Sequence, residues 1–249
     1  MKSFAKTSVR TAFSAAALGA VALLSSQVSS AAPLPAVKLP AKIAAAKAPA
    51  PAVALRAPAV KSVSLETVRT MIKFETVRWG GKPVQTLDEA SRIMLARVAA
   101  EKAGLHEVGL SYQDVYGVIE AETSWIQRTG ASKDGTPNLG LAQFEPRTAK
   151  SMGLEDPSDP VQAVFAAAKY MKMGAEWASS RIGHLKSDPK LYAAKLREGV
   201  SVHYNLSIKG RNKWNGLNTA DLPVETQRHI RNAALGAREA AELARKFSV

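Results

Sequence analysis

The chain has no cysteine in its 249 residues. That excludes disulfides, a thiol nucleophile and a lipid-modified cysteine. It does not identify a compartment. Histidine is sparse, and the four present (His106, His184, His203 and His229) are scattered. They show no metal-ligand spacing, so each defaults to a structural or exposed role, and no metal or other cofactor is expected. Acid is missing from the start of the chain, where the first carboxylate is Glu66. The apolar run from Ala15 to Leu24 is short for a membrane span, which needs about 20 residues. The formal charge of +13 comes without a recognisable nucleic-acid motif. Residues 1–32 carry three of those charges and residues 33–62 carry five, so the remainder holds a moderate +5. Nucleic acid is therefore not expected as a partner.

What is present at the start reads as export. Lys2, Lys6 and Arg10 form a basic region ahead of the apolar run, and Ser29-Ser30-Ala31-Ala32 supplies small residues for cleavage. Residues 1–32 have the pattern of a secretory signal peptide. Retention of the segment as an anchor is the alternative. Residues 33–62 are rich in Ala and Pro, with Lys38, Lys42, Lys47, Arg56 and Lys61 and no acid. Such a segment buries too little apolar surface to offset its ordering entropy, so a disordered basic spacer is expected. The folded domain is then 63–249, and its 46% hydrophobic parent composition suffices for a core.

Within that domain, Glu66-Thr67-Val68-Arg69 recurs as Glu75-Thr76-Val77-Arg78, ahead of a break at Gly80-Gly81 and Pro83. Either a short helix or a hairpin could precede that break, and residues 63–82 do not choose between them. Thr86 and Glu89 suggest a capping box, followed by a stripe of Leu87, Ala90, Met94 and Val98 that stops at Gly104. Asp159-Pro160 and Asp188-Pro189 each read as a cap followed by proline at the first helical position. The first opens a stripe of Val161, Val164, Phe165, Ala168, Met171 and Ala175; the second opens one of Leu191 and Ala194. Trp214, in a polar loop, suits either stacking on a ligand or pinning the loop. The last helix should present Arg228, Arg231, Arg238, Glu239, Glu242 and Arg245 to water.

The stretch around which the rest is organised runs from Val115 to Ala149. Ser111 and Asp114 begin a helix on which Val115, Val118, Ile119 and Glu122 share one face. Glu122 thus ends an apolar stripe. Burial there would disfavour the charged carboxylate, as a general acid requires, whereas at a solvated helix end Glu122 would be an ordinary surface residue. Glu120, two residues away, points elsewhere on the helix and should be solvated, so the two are not a catalytic pair. Gln127 to Leu139 is polar and contains Gly130, Gly135 and Pro137, which suggests a loop or small hairpin. Gly140 lets the backbone approach a neighbour closely.

Glu122-Thr123-Ser124-Trp125, then Gly140-Leu141-Ala142-Gln143, then Pro146, Thr148 and Ala149, resemble the catalytic core of the lytic transglycosylases, relatives of goose-type lysozyme. Tyr204-Asn205 and Leu222-Pro223-Val224-Glu225-Thr226 resemble two later motifs of the same family. The resemblance covers about residues 110–235. It implies a mainly α, lysozyme-like helical domain with a small irregular lobe at Gln127–Leu139 beside an active-site groove. It also implies Glu122 as the single catalytic acid, acting on the MurNAc–GlcNAc β-1,4 bond of peptidoglycan to leave 1,6-anhydromuramoyl ends. Thr123, Trp125, Gln143, Phe144, Tyr204 and Asn205 inherit contacts with substrate, and Tyr204 a hydrogen bond to the acid. No metal or cofactor is implied. A monomeric envelope or periplasmic enzyme follows, with glycan strands as partner and tethering to secretion, flagellar or division machinery allowed by the spacer.

Four departures from the family pattern stand out: Thr123, Ala142 where the family has Met, His203 and Ser207. Ala142 would widen the groove or change how the acetyl group is held. A lysozyme-like hydrolase remains an alternative, with Asp134 as second carboxylate at the about 6.5–9.5 Å that inverting enzymes use. A non-catalytic wall-binding or assembly protein is the other alternative.

Overall fold

The computed structural model describes residues 63–132 and 134–247. The signal-peptide and spacer readings of residues 1–62 lie outside the described residues. Among those described, the fold is mainly helical, with eight α-helices and two short hairpins. None of these helices is long and apolar enough to cross a membrane.

Residues 63–87, left undecided between a helix and a hairpin, form a helix and then a hairpin that turns at the Gly80-Gly81 break. Helix α1, Leu65–Met71, is capped by Ser64, whose hydroxyl accepts from the Thr67 N–H at 3.1 Å. Strands β1, Phe74–Trp79, and β2, Lys82–Leu87, then pair antiparallel from Phe74↔Leu87 to Trp79↔Lys82. The turn needs two left-handed residues, and Gly80 (φ 56°) and Gly81 (φ 80°) supply them. One copy of Glu-Thr-Val-Arg is therefore helical and the other extended. A serine cap starts the first; a glycine turn folds back the second.

Helix α2, Glu89–Lys102, is capped by Asp88, which accepts from the Ser91 N–H at 2.8 Å. The expected Thr86/Glu89 capping box does not form. Thr86 lies buried in β2 and donates its hydroxyl to the Trp125 carbonyl at 2.7 Å. Of the expected stripe, Leu87 is buried in β2, Met94 and Val98 are half-buried against the core and Ala90 is exposed, while Ile93, Leu95, Ala96, Ala99 and Ala100 form the most buried side of the helix. Gly104, at φ 65°, follows the helix end as expected.

Helix α3, Tyr112–Thr123, opens on the Ser111/Asp114 capping box and carries Glu122 in its last turn. Strands β3, Thr129–Ala131, and β4, Pro137–Leu139, make the segment after it a hairpin. Helices α4, Pro146–Met152, and α5, Pro160–Arg181, follow. Asp159 caps α5 by accepting from the Val161 and Gln162 N–H groups, and the predicted stripe is buried except for Phe165, which is half-buried. Asp188 caps α6, Pro189–Asn205, in the same way. Here the predicted stripe fails: Leu191 and Ala194 are exposed, and Leu196, Gly199, Val200, Val202 and His203 form the buried face. Tyr192 takes the contact with α5, its hydroxyl 2.8 Å from that of Ser179. Ser207 caps the short α7, Ile208–Arg211. Helix α8, Val224–Lys246, begins directly after Pro223.

Helix α3 is central and packs most extensively on α8. The two run antiparallel, as the pairings Tyr116 with Glu239, Glu120 with Gly236 and Glu122 with His229 show. They touch backbone to backbone. A Cβ on Gly117 would stand 2.2 Å from the Ala233 carbonyl oxygen, and one on Gly236 would stand 2.9 Å from Cα of Gly117. Only glycine fits both positions. This close approach brings the last turn of α3 to the first turns of α8.

Candidate functional site

Glu122 ends the buried face of α3, behind Val115, Val118 and Ile119. Its side chain retains 14% exposure, so one edge of the carboxyl is reachable from solvent. Oε1 lies 2.9 Å from Nε2 of His229, on the second turn of α8. Among the described residues, Oε2 has no hydrogen-bond partner. The His229 ring is almost fully enclosed, and its Nδ1 is buried without a partner. A buried N–H left unpaired is rarer and costlier than an unused acceptor. We therefore assign the ring proton to Nε2, donating to Glu122. Oε1 can accept that bond whether the carboxyl is neutral or ionised.

Tyr204 braces this pair from α6. Its ring stacks on His229 with centroids 6.0 Å apart and planes 20° off parallel. Its phenol does not bond the acid as expected; it donates to the Ala142 carbonyl at 2.9 Å. Burial, then the nearby Glu122 charge and Tyr170, hold that phenol well above its ordinary pKa, so it stays a donor. Asn205 accepts from the Thr226 hydroxyl at 2.7 Å, which ties the end of α6 to the start of α8. The two later motifs are thus one clamp, set around His229.

The other motif residues hold backbone. Thr123 is buried, and its hydroxyl donates to Ile119 O and more distantly to Leu141 O, at 3.4 Å. Gln143 donates its amide to Gly140 O at 2.7 Å and Arg128 O at 3.0 Å, joining the turn to the β3 approach. Phe144 is buried between Tyr170 and Tyr204. Trp125 is 1% exposed and packs on Tyr116, so no face of its indole is open to a ligand in this conformation. Gly140 approaches neither the Glu122 helix nor open space; a Cβ there would meet the Pro157 carbonyl at 2.1 Å.

Strain concentrates in these same blocks. Among the described residues, Ser124 (φ 51°), Trp125 (φ 59°) and Gln143 (φ 49°) are the non-glycine residues with left-handed backbone. Each costs on the order of 1–3 kcal/mol, and such strain persists where surrounding contacts hold it, often at functional sites. The reversal after Thr123 drives Trp125 into the core and leaves Glu122 at the edge.

One expectation changes here, and one open alternative is decided. Glu120 is not solvated: it packs on Gly236 of α8, where burial first and then the Glu239 charge push its pKa up. Glu239 is exposed on α8, as expected, and also accepts from the Tyr116 hydroxyl at 2.8 Å. Trp214 is fully buried, stacks on Trp177 and donates to the Thr219 hydroxyl at 3.1 Å, so it pins its loop. Asp134 sits exposed in the β3–β4 turn and accepts from the Thr136 N–H at 2.9 Å, which lowers its pKa. His229 was not singled out from sequence. The available signal was a histidine on the α8 face that also carries Thr226, Gly236 and Ala240, all buried.

The Glu122 carboxyl is held, partly buried and reachable, which is what a proton donor and acceptor requires. No cluster of three or more potential metal ligands stands together among the described residues. Comparison with known proteins gives one partial likeness. The chain is 29% identical over 83 residues to the membrane-bound lytic murein transglycosylase F of Cellvibrio japonicus (strain Ueda107). That stretch is 33% of this chain and 16% of the relative, so the chain spans a small part of its length. No protein-family profile matches the chain. No solved structure matches it either.

Proposed function

We propose that this protein is a peptidoglycan lytic transglycosylase of the cell envelope, with Glu122 as its one catalytic carboxyl. The observation that carries the reading is the Glu122–His229 pair: an acid anchored through Oε1, with Oε2 left to exchange a proton. The partial likeness to a lytic murein transglycosylase names the bond class. In this reading Glu122 protonates the bridging oxygen of the MurNAc–GlcNAc link, and the C1–O bond breaks. The muramoyl 2-acetamido group stabilises the cation. Glu122 then takes the proton of the C6 hydroxyl as O6 closes on C1, giving the 1,6-anhydro product. His229 Nε2–H holds Oε1 throughout, and Tyr204 keeps the imidazole in plane. Gln143, Thr123, Phe144 and Asn205 shape the site by fixing its backbone. One acid suffices, which accords with Asp134 being occupied by its own turn.

Purified sacculi digested with the protein, followed by mass spectrometry of the soluble products, tests this. Anhydromuropeptides from the wild type and none from Glu122→Gln are expected. Reducing-end muropeptides would replace the reading with hydrolysis. Retained sacculus binding without release by wild type would replace it with a non-catalytic wall-binding role.

A further inference from the structure

The β1–β2 hairpin lies outside the stretch that carries the family resemblance, yet it is bonded to the Glu122 loop. Thr86 of β2 donates to the Trp125 carbonyl at 2.7 Å. Beyond it, Arg128 donates to the backbone carbonyl of Glu122 itself. The Arg128 guanidinium lies 5.9 Å from the ring centroid of Trp79. Trp79 is the last residue of β1, on the same strand face as Glu75 and Val77, which turn inward. At the tip this face has run past the helical body, and the indole is 42% exposed. By contrast, Trp125 and Trp214 are fully buried. Arg128 lies over the ring and Lys82 is its cross-strand partner, and residues 76–87 contain no acid. The indole is thus accessible and, through Arg128, sits one side chain away from the Glu122 backbone.

We propose that Trp79 and Arg128 form a glycan-binding platform beside Glu122, the indole stacking on an amino-sugar ring and the guanidinium pairing with a carboxylate of the same strand. The proposal rests on the function read above. The apolar C–H face of a pyranose matches an indole, whose edge stays polar. A guanidinium has five N–H donors, and one is used on Glu122, so a carboxylate can be held without breaking the existing bond. The carboxylate has two sources in peptidoglycan: the lactyl group of stem-free strands and the acids of the stem peptide.

The test uses the full chain carrying Glu122→Gln, which binds without cutting. It is titrated with stem-bearing strands, with stem-free strands and with chitin oligomers that lack carboxylates, following tryptophan fluorescence. Adding Trp79→Ala should weaken binding of all three about tenfold, which is about 1.4 kcal/mol, and remove most of the fluorescence change. Trp79→Phe should restore most of the affinity. Arg128→Lys should weaken the carboxylate-bearing strands and spare the chitin oligomers, and the strand that loses more identifies the source. Unchanged affinity with Trp79→Ala overturns the platform while leaving the transglycosylase reading intact. If the Glu122→Gln parent binds no glycan and the wild type cuts none, both fail together. A melting temperature lowered by Trp79→Ala with affinity unchanged assigns Trp79 to packing and overturns the platform.

Discussion

At the scale of single residues, His229 decides how Glu122 is presented. A hydrogen bond to a carboxyl contributes about 1.5–3 kcal/mol, so His229→Leu should lower kcat roughly tenfold to a hundredfold. His229→Gln keeps an N–H donor and should recover most of that loss. Rescue separates the two roles: a positioning residue recovers kcat when an N–H donor is restored, whereas for a merely structural one kcat follows only the melting temperature. Tyr204→Phe removes the donor to the Ala142 carbonyl. An unpaired buried carbonyl costs about 1–3 kcal/mol, which thermal melting will show as loss of stability. Glu122 and Tyr204 could be singled out as candidates from the sequence because each sits in a local motif, though the bond expected between them is replaced by one from Tyr204 to the Ala142 carbonyl. The bond between Glu122 and His229 could not, because 107 residues separate them. The two tryptophans tell the same story. Trp125 and Trp214 sit in or beside polar loops, and both are buried.

At the scale of elements, the crossing of α3 and α8 sets the site. A methyl at Gly117 would collide with the Ala233 backbone at 2.2 Å, so the helices must separate. Gly117→Ala should cost about 3 kcal/mol or more, and should reduce activity below the melting point as well, since Glu122 and His229 part. Gly236→Ala meets the Glu120 Cβ at 2.8 Å and the Gly117 Cα at 2.9 Å, both fixed to the α3 backbone, and should act in the same direction, with a smaller effect because the overlap is less severe. Urea unfolding gives the first quantity and sacculus turnover the second. Helix starts at Asp159 and Asp188 were legible because a cap and a proline act within one turn. Buried faces were less legible. Alanine-rich α2 has no sharp apolar stripe, so its inward side is chosen by what it packs against. The repeated Glu-Thr-Val-Arg is the plainest case: four identical residues, one helical and one extended.

At the scale of the molecule, an aromatic seam runs from the site into the body, through His229, Tyr204, Tyr170, His203, Trp177 and Trp214. His203 is buried in it, with Nδ1 unpartnered and in contact distance of where a Gly174 Cβ would stand. Burial, then the Arg211 charge, push its pKa down to about 4 from 6.5. Between those values the unfolded chain binds the proton and the folded one does not. His203 thus leaves stability intact above about pH 6.5 and costs up to about 3 kcal/mol as pH falls toward 4. Glu120 pulls the other way, because its raised pKa makes the folded state bind the extra proton above its ordinary range. The comparison is therefore between wild type and His203→Phe, with urea midpoints at pH 7.5 and 4.5. The wild type should lose more stability than the variant on acidification.

The sequence by itself determined the helix starts at Ser111, Asp159 and Asp188, the chain break at Gly80-Gly81, the apolar stripe that ends at Glu122 and the order of the motif blocks. Each depends on residues within a turn or two of one another, where backbone geometry and capping chemistry act. Only the tertiary structure decided which partner Glu122 takes, which tryptophan stays at the surface and how closely α3 meets α8. Those depend on packing between segments far apart in the chain, where space and unsatisfied polar groups, not periodicity, choose the contact.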